Sequence, residues 1–193
     1  MFKTFKNAFK IPELRSKILF TLFIIILYRI GSVIPVPFTN VGELGAAYSQ
    51  TGVLTYLSML SGSAFAQGTL FALGVSPYIT AQIVIQLLTI AIPALERLAQ
   101  NGEDGRKKIN KITRYVTVAL SIITGIGYYL IMENQYGLVK KGYDNAFGII
   151  VIIACYVAGA SIVMWLGEKI DEQGIGNGIS IILFANIVSG LPQ

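Results

Sequence analysis

Histidine is missing altogether from these 193 residues, and cysteine occurs once, at Cys155. The first absence removes zinc-protease motifs, Ser–His nucleophile pairs and histidine-ligated haem. The second removes any intramolecular disulfide, so nothing points to an oxidising compartment. Charge is scarce too: 13% of the residues are Asp, Glu, Lys or Arg, against 54% hydrophobic. A soluble domain carries about a quarter of its residues charged. With a mean hydropathy of +0.66, much of this surface must face something other than water. The net charge of +5 suits anionic lipid headgroups or RNA and does not choose between them.

What the sequence has in abundance is long apolar runs. A membrane-spanning helix needs about 20 mostly apolar residues. Four stretches qualify: Ile18–Val36, Leu70–Ile92, Tyr115–Met132 and Phe147–Leu166. A fifth, Ile179–Leu191, contains Asn186 and Gly190 and reaches span length only if it begins near Ile175, giving 175–191. Residues 1–17 open with M-F-K-T-F-K-N-A-F-K, basic and amphipathic. No short apolar core with a small-residue cleavage site follows, so this arm reads as a helix on the cytoplasmic membrane surface and not as a removable signal peptide.

Lys and Arg set the expected orientation. The arm carries Lys3, Lys6, Lys10, Arg15 and Lys17; the loop after the second span carries Arg97, Arg106, Lys107, Lys108, Lys111 and Arg114; Lys169 follows the fourth. The opposite side holds only Lys140 and Lys141. The amino terminus is therefore expected in the cytoplasm, and the end of the fifth span outside.

Between the first two spans lies Val53–Phe65, V-L-T-Y-L-S-M-L-S-G-S-A-F. At 1.5 Å per residue such a helix covers roughly 20 Å, too little for a core about 30 Å thick. It leads through Gln67, Gly68 and Thr69 into a span interrupted by Gly74 and Ser76-Pro77, where a helix must kink or restart. Two readings fit: a re-entrant half-helix sheltered by protein or a water-filled cavity, or an amphipathic helix on the outer surface. Arg29 lies near the outer end of the first span, from which it can snorkel. Gln82 and Gln86, four apart on one face, prefer a helix interface or an aqueous cavity to lipid. The basic loop Glu96–Arg114 contains two turn-forming pairs, Asn101-Gly102 and Asp104-Gly105. It serves either as a positive-inside anchor or as a surface for ribosomal RNA or an acidic protein. Gly174-Ile175-Gly176-Asn177-Gly178 follows no strand and lacks the Gly-Lys of a phosphate loop, so its glycines are expected to make a tight approach into the fifth helix.

Two longer stretches carry a resemblance. Thr69–Leu88, T-L-F-A-L-G-V-S-P-Y-I-T-A-Q-I-V-I-Q-L-L, and Met164–Leu183, M-W-L-G-E-K-I-D-E-Q-G-I-G-N-G-I-S-I-I-L, resemble the second-helix and fifth-helix signatures of the SecY family. R-I-G-S-V-I-P-V-P-F at Arg29–Phe38 and N-G-E-D-G-R-K-K-I at Asn101–Ile109 agree in order and spacing. Asp171 departs from the family pattern, where Ser, Thr or Asn is expected.

The resemblance implies an all-α, multi-pass bundle: five spans plus a short re-entrant plug at about 53–66, one half of a pseudo-two-fold ten-helix channel. Residues 18–193 would be that amino-terminal half. It implies an apolar pore ring from Val75, Ile79, Ile179 and Leu183, a constriction that dewets yet yields to a passing chain. The plug would include Tyr56, Leu57, Met59, Leu60, Ser61, Gly62 and Phe65. One side of a lateral gate would carry Thr80, Gln82, Ile83 and Gln86, and the cytoplasmic basic loop Arg106, Lys107, Lys108 and Lys111.

The function so implied is a non-enzymatic, protein-conducting channel of the bacterial cytoplasmic membrane, passing unfolded secretory polypeptides and releasing apolar segments into lipid. Expected partners are SecE, SecG, the motor SecA, the ribosome (and ribosomal RNA only through it), signal peptides, nascent chains and membrane lipids, with no cofactor. The competing class is a small-solute transporter with a discontinuous helix. It usually needs ionisable residues at mid-membrane, and the second to fifth spans hold none in their cores. A third reading is an assembly partner without activity of its own.

Overall fold

The computed structural model describes residues 11–39, 61, 64–65, 67–134, 139 and 145–190. Among them the protein is all-α: α1 (Pro12–Gly31), α2 (Ser76–Ala91), α3 (Pro93–Gln100), α4 (Gly102–Asn134), α5 (Ala146–Gln173) and α6 (Gly178–Gly190). Strand-type pairing among the described residues is confined to isolated bridges, Pro35 with Thr69 and Thr39 with Val139. Helices α4 and α5 are each long and apolar enough to cross a membrane, and α2 with α3 counts as a third span if the bent pair is taken together.

Proline places three of the helix starts. Pro12, Pro77 and Pro93 sit in the first turns of α1, α2 and α3, where a missing amide costs nothing and the fixed φ suits a helix. Pro93 also ends α2. The residue before a proline is pushed out of the α region, and Ile92 is extended, with φ −110° and ψ 111°. The chain bends by 102° there.

The apolar run predicted as one span from Leu70 is helical only from Ser76. Residues 70–75 form turns, with Gly74 at φ +55°, a conformation that favours glycine. The basic loop expected at Glu96–Arg114 is instead mostly helix. Only Asn101-Gly102 breaks it, with Gly102 at φ +66°. Asp104-Gly105 makes no turn. Gly105 lies in α4, and a Cβ there would sit 1.8 Å from the Leu98 carbonyl oxygen; the glycine closes the α3–α4 corner by close approach. Glu, Lys and Arg are good helix formers, so the charged segment extends the third span. At 33 residues, α4 is about 50 Å long and overshoots a hydrocarbon core of about 30 Å.

Two apolar clusters hold the helices together. One joins Val36, Phe65 and Ala72 to Tyr128, Tyr129 and Met132 of α4 and to Ile152 and Tyr156 of α5. The other joins Ile24 and Tyr28 of α1, Phe71, Val75 and Tyr78, Val163 and Ile170 of α5, and Ile179 and Ile182 of α6. Along α4 the small residues Thr113, Thr117, Ser121 and Gly125 are buried at four-residue spacing. Their hydroxyls donate back to carbonyls of the same helix, Thr117 to Thr113 at 2.8 Å, which satisfies them without a partner helix. Arg114 and Glu168 join α4 to α5 across 2.7 Å.

Candidate functional site

The residues of interest converge on the non-helical segment that leads into α2. After α1, residues 32–39 turn and pair with it at two points: Leu70 donates its amide to Ile34 at 2.9 Å, and Val36 to Gly68 at 3.2 Å. Phe71 stacks on Tyr28 with ring centroids 5.2 Å apart. Gly31 makes room for that ring, since a Cβ there would lie 2.1 Å from it. On the other side, Gly159 of α5 meets the Leu70 carbonyl oxygen, 1.9 Å from where its Cβ would be. The segment is thus held between α1 and α5, and several of its backbone polar groups are paired within protein.

Helix α6 begins beside it. Asn177 accepts from the Ser180 amide at 3.0 Å, an N-cap, and Asp171 accepts from the Gly178 amide at 2.7 Å. Asp171 therefore fastens the α5–α6 corner. Glycine makes that corner possible: a Cβ on Gly178 would lie 2.1 Å from the Gly167 carbonyl oxygen. Gly176, at φ +68°, turns the chain. Thr21 of α1 accepts from the Ile175 amide at 3.2 Å. Deeper in the bundle, Asn186 donates to the Tyr28 hydroxyl at 2.9 Å.

The four predicted ring positions come together. Val75 and Ile179 are buried in the second apolar cluster, and Ile79 and Leu183 are half-buried against it. They come from the starts of α2 and α6, about a hundred residues apart in the chain. Of the predicted plug, Ser61 and Phe65 are described. Ser61 Oγ accepts the Phe65 amide at 3.0 Å, and both side chains line a cavity of about 280 Å³ that Val75 also lines. Tyr56, Leu57, Met59, Leu60 and Gly62 lie outside the described residues, as does most of the arm at 1–17.

The predicted gate residues share one helix without forming one network. Thr80 and Gln86 are exposed, as is Ile83 at 51%. Thr80 bonds back to Ser76 at 3.0 Å, and half-buried Gln82 donates to the Tyr78 hydroxyl at 3.4 Å, not to Gln86. Arg106, Lys107, Lys108 and Lys111 are exposed on the first turns of α4. Among the described residues no three of Cys, Asp and Glu gather where they could hold a metal ion.

A family model described as SecY matches residues 69–193. The chain belongs to the SecY family. It is 44% identical over 206 positions to the protein translocase subunit SecY of Streptomyces coelicolor, covering all of this chain and 47% of that one. It thus spans about half the length of that relative. The SecY-family fold appears in solved structures as well. Sec61 in the canine ribosome–channel complex from the endoplasmic reticulum aligns over 94% of this chain and 40% of its own, with 21% identity and a TM-score of 0.61. A structure concerned with the plug domain of the SecY protein, described as stabilising the closed state of the translocation channel and maintaining a membrane seal, aligns over 93% of this chain and 39% of its own, with 19% identity and a TM-score of 0.58. At such identities the likeness establishes the fold. Family membership and the apolar helices together make this a protein of the bacterial cytoplasmic membrane.

Proposed function

We propose that the chain is the amino-terminal half of a protein-conducting channel, residues 18–193, which in the complete protein passes unfolded secretory polypeptides across the membrane and releases apolar segments sideways. The supporting observation is the gathering of Val75, Ile79, Ile179 and Leu183 in one apolar cluster at the starts of two helices, each reached through glycine-shaped turns. Apolar side chains presented at the same depth form a constriction that excludes water and ions yet parts for an extended chain. The residues so assembled perform no chemical step: the work is positioning and sealing. Energy then comes from partners, the ribosome during synthesis or the motor SecA afterwards, with SecE and SecG as companion subunits. The stretch at 53–66 is the plug beneath the ring. Exposed Ile83 and Gln86 belong to the gate face of α2, and the basic turns of α4 lie in the cytoplasm together with the amino terminus.

A photo-crosslinking residue at Ile79 of the full-length protein, with exposed Ile122 of α4 as control, tests the reading once a secretory chain is stalled inside. Crosslinks from Ile79 and none from Ile122 are expected. If neither position touches the chain while the membrane stays tight, the cluster is ordinary helix packing and the channel reading fails.

A further inference from the structure

Near its end, α5 carries a turn whose residues hold different neighbours. Gly167 seats a ring residue: a Cβ there would lie 2.4 Å from Cδ1 of Ile179 and 3.1 Å from its Cγ1. Glu168 reaches towards α4, accepting from Arg114 Nε at 2.9 Å and pairing through its second oxygen at 2.7 Å. Ile170 is fully buried and packs against Gly178, where a Cβ would sit 2.8 Å from its own. Asp171 accepts the Gly178 amide at 2.7 Å, one residue before Ile179. Helix α2 meets the same turn. Tyr78, which precedes Ile79, is buried in the cluster that holds Ile170 and Ile179, and its hydroxyl lies in the field of Glu168, Asp171 and Arg114.

These contacts differ in what they fix. Apolar packing holds Ile179 close to α5 but has no preferred direction along the helix. A hydrogen bond to a main-chain amide has a narrow range of length and angle, so the Asp171–Gly178 bond sets the height at which α6 starts on α5. Gly178 is buried, whereas Asp171 is exposed. If α6 slides, water resolvates the carboxylate, but the amide loses a charged acceptor at the positive end of its helix. The bond therefore favours the seated arrangement alone.

We propose that this turn of α5 is the register stop of the pore ring: Asp171 is a positioning residue that fixes the height of Ile179 through the Gly178 amide, and Gly167 leaves the seat that the Ile179 side chain fills. The inference rests on the channel reading above and adds to it the groups that keep one side of the ring closed. Losing the Asp171 bond moves the equilibrium from a seated to a displaced Ile179 by the worth of one hydrogen bond, about three- to tenfold. A displaced side chain lets water into the apolar constriction, and ions follow.

The test uses the full-length protein with its companion subunits in sealed vesicles, comparing wild type with four variants. Asp171→Ala removes the acceptor, and Asp171→Asn keeps an oxygen for the amide without the charge. Gly167→Ala keeps the bond and pushes on Ile179 directly. Glu172→Ala removes the neighbouring exposed carboxylate, which pairs with Lys169. The idle ion leak is expected to rise about three- to tenfold in Asp171→Ala and to rise in Gly167→Ala, with Asp171→Asn and Glu172→Ala near wild type. Passage of an intact secretory substrate should stay normal throughout. An unchanged leak in Asp171→Ala overturns the assignment, as does an equal rise in Glu172→Ala or in Asp171→Asn. A rise accompanied by lost passage of the intact substrate marks general loosening and overturns it too. If Asp171→Ala does not assemble, Gly167→Ala decides, and an unchanged leak there sinks the register stop. A wild-type protein without Ile79 crosslinks to the stalled chain sinks the channel reading and this inference together; normal crosslinks with an unchanged leak in the variants sink only the inference.

Discussion

At the scale of single residues, close approaches of helix to backbone distinguish glycines that look alike in sequence. Gly159 and Gly125 both lie mid-helix and both are buried. A Cβ on Gly159 would sit 1.9 Å from the Leu70 carbonyl oxygen and 2.9 Å from its carbon, main-chain atoms that cannot step aside. A Cβ on Gly125 would meet nothing closer than 3.8 Å. Alanine is about 1 kcal/mol better than glycine inside a helix, so Gly125→Ala should be neutral or stabilising by up to that amount. Gly159→Ala should cost about 1–3 kcal/mol through overpacking, because α5 must move off the segment that carries Val75. Thermal unfolding of the two full-length variants in detergent reads the difference, and equal midpoints would remove the role assigned to Gly159. Asn186 was visible as a lone amide in an apolar run, but its partner, the Tyr28 hydroxyl 158 residues away, was not.

The elements are shaped by where their hydrogen bonding is interrupted. Helix α2 is bounded by two prolines. Pro77 starts it and Pro93 stops it, throwing α3 off at 102°. Short α3 has no buried residue and alternates Leu95, Leu98 and Ala99 with Glu96, Arg97 and Gln100, a pattern suited to lying in the membrane interface. Pro93→Ala restores an amide donor and frees Ile92 to return to the α region. Spin labels at Val84 and Gln100 should then move apart, towards the roughly 24 Å that sixteen residues of continuous helix span. An unchanged distance would assign the bend to the close Leu98–Gly105 contact at the α3–α4 corner. The Arg114–Glu168 pair stands with Arg114 half exposed, so it adds little stability and serves to align α4 with α5.

For the whole molecule the question is which end of the bundle faces the cytoplasm. The basic side predicted from Lys and Arg includes the exposed first turns of α4, and the opposite side includes the exposed start of α5 at Asn145. With Cys155→Ser as background, a membrane-impermeant maleimide applied to intact cells should modify Asn145→Cys and spare Lys107→Cys until the membrane is opened. The reverse pattern would invert the proposed topology and place the 53–66 stretch on the cytoplasmic side, where it could not be the outer plug.

The class and much of the layout are legible in the order of residues alone. Apolar runs at bilayer length dictate membrane helices, prolines and glycines dictate where they break, and two signature stretches dictate the family. These properties are local, written in hydropathy and backbone freedom over a few turns. The charged run at Glu96–Arg114 shows the limit of local reading: its turn-forming pairs pointed to a loop, but only one of them breaks a helix, because the other glycine is used for contact with Leu98. Which distant residues meet emerges only once the helices are packed. Val75 beside Ile179, Asn186 on Tyr28, Asp171 on the Gly178 amide and Tyr128 on the Phe65 carbonyl all depend on how helices cross. Crossing is set by the packing of whole faces, which no short window of sequence contains.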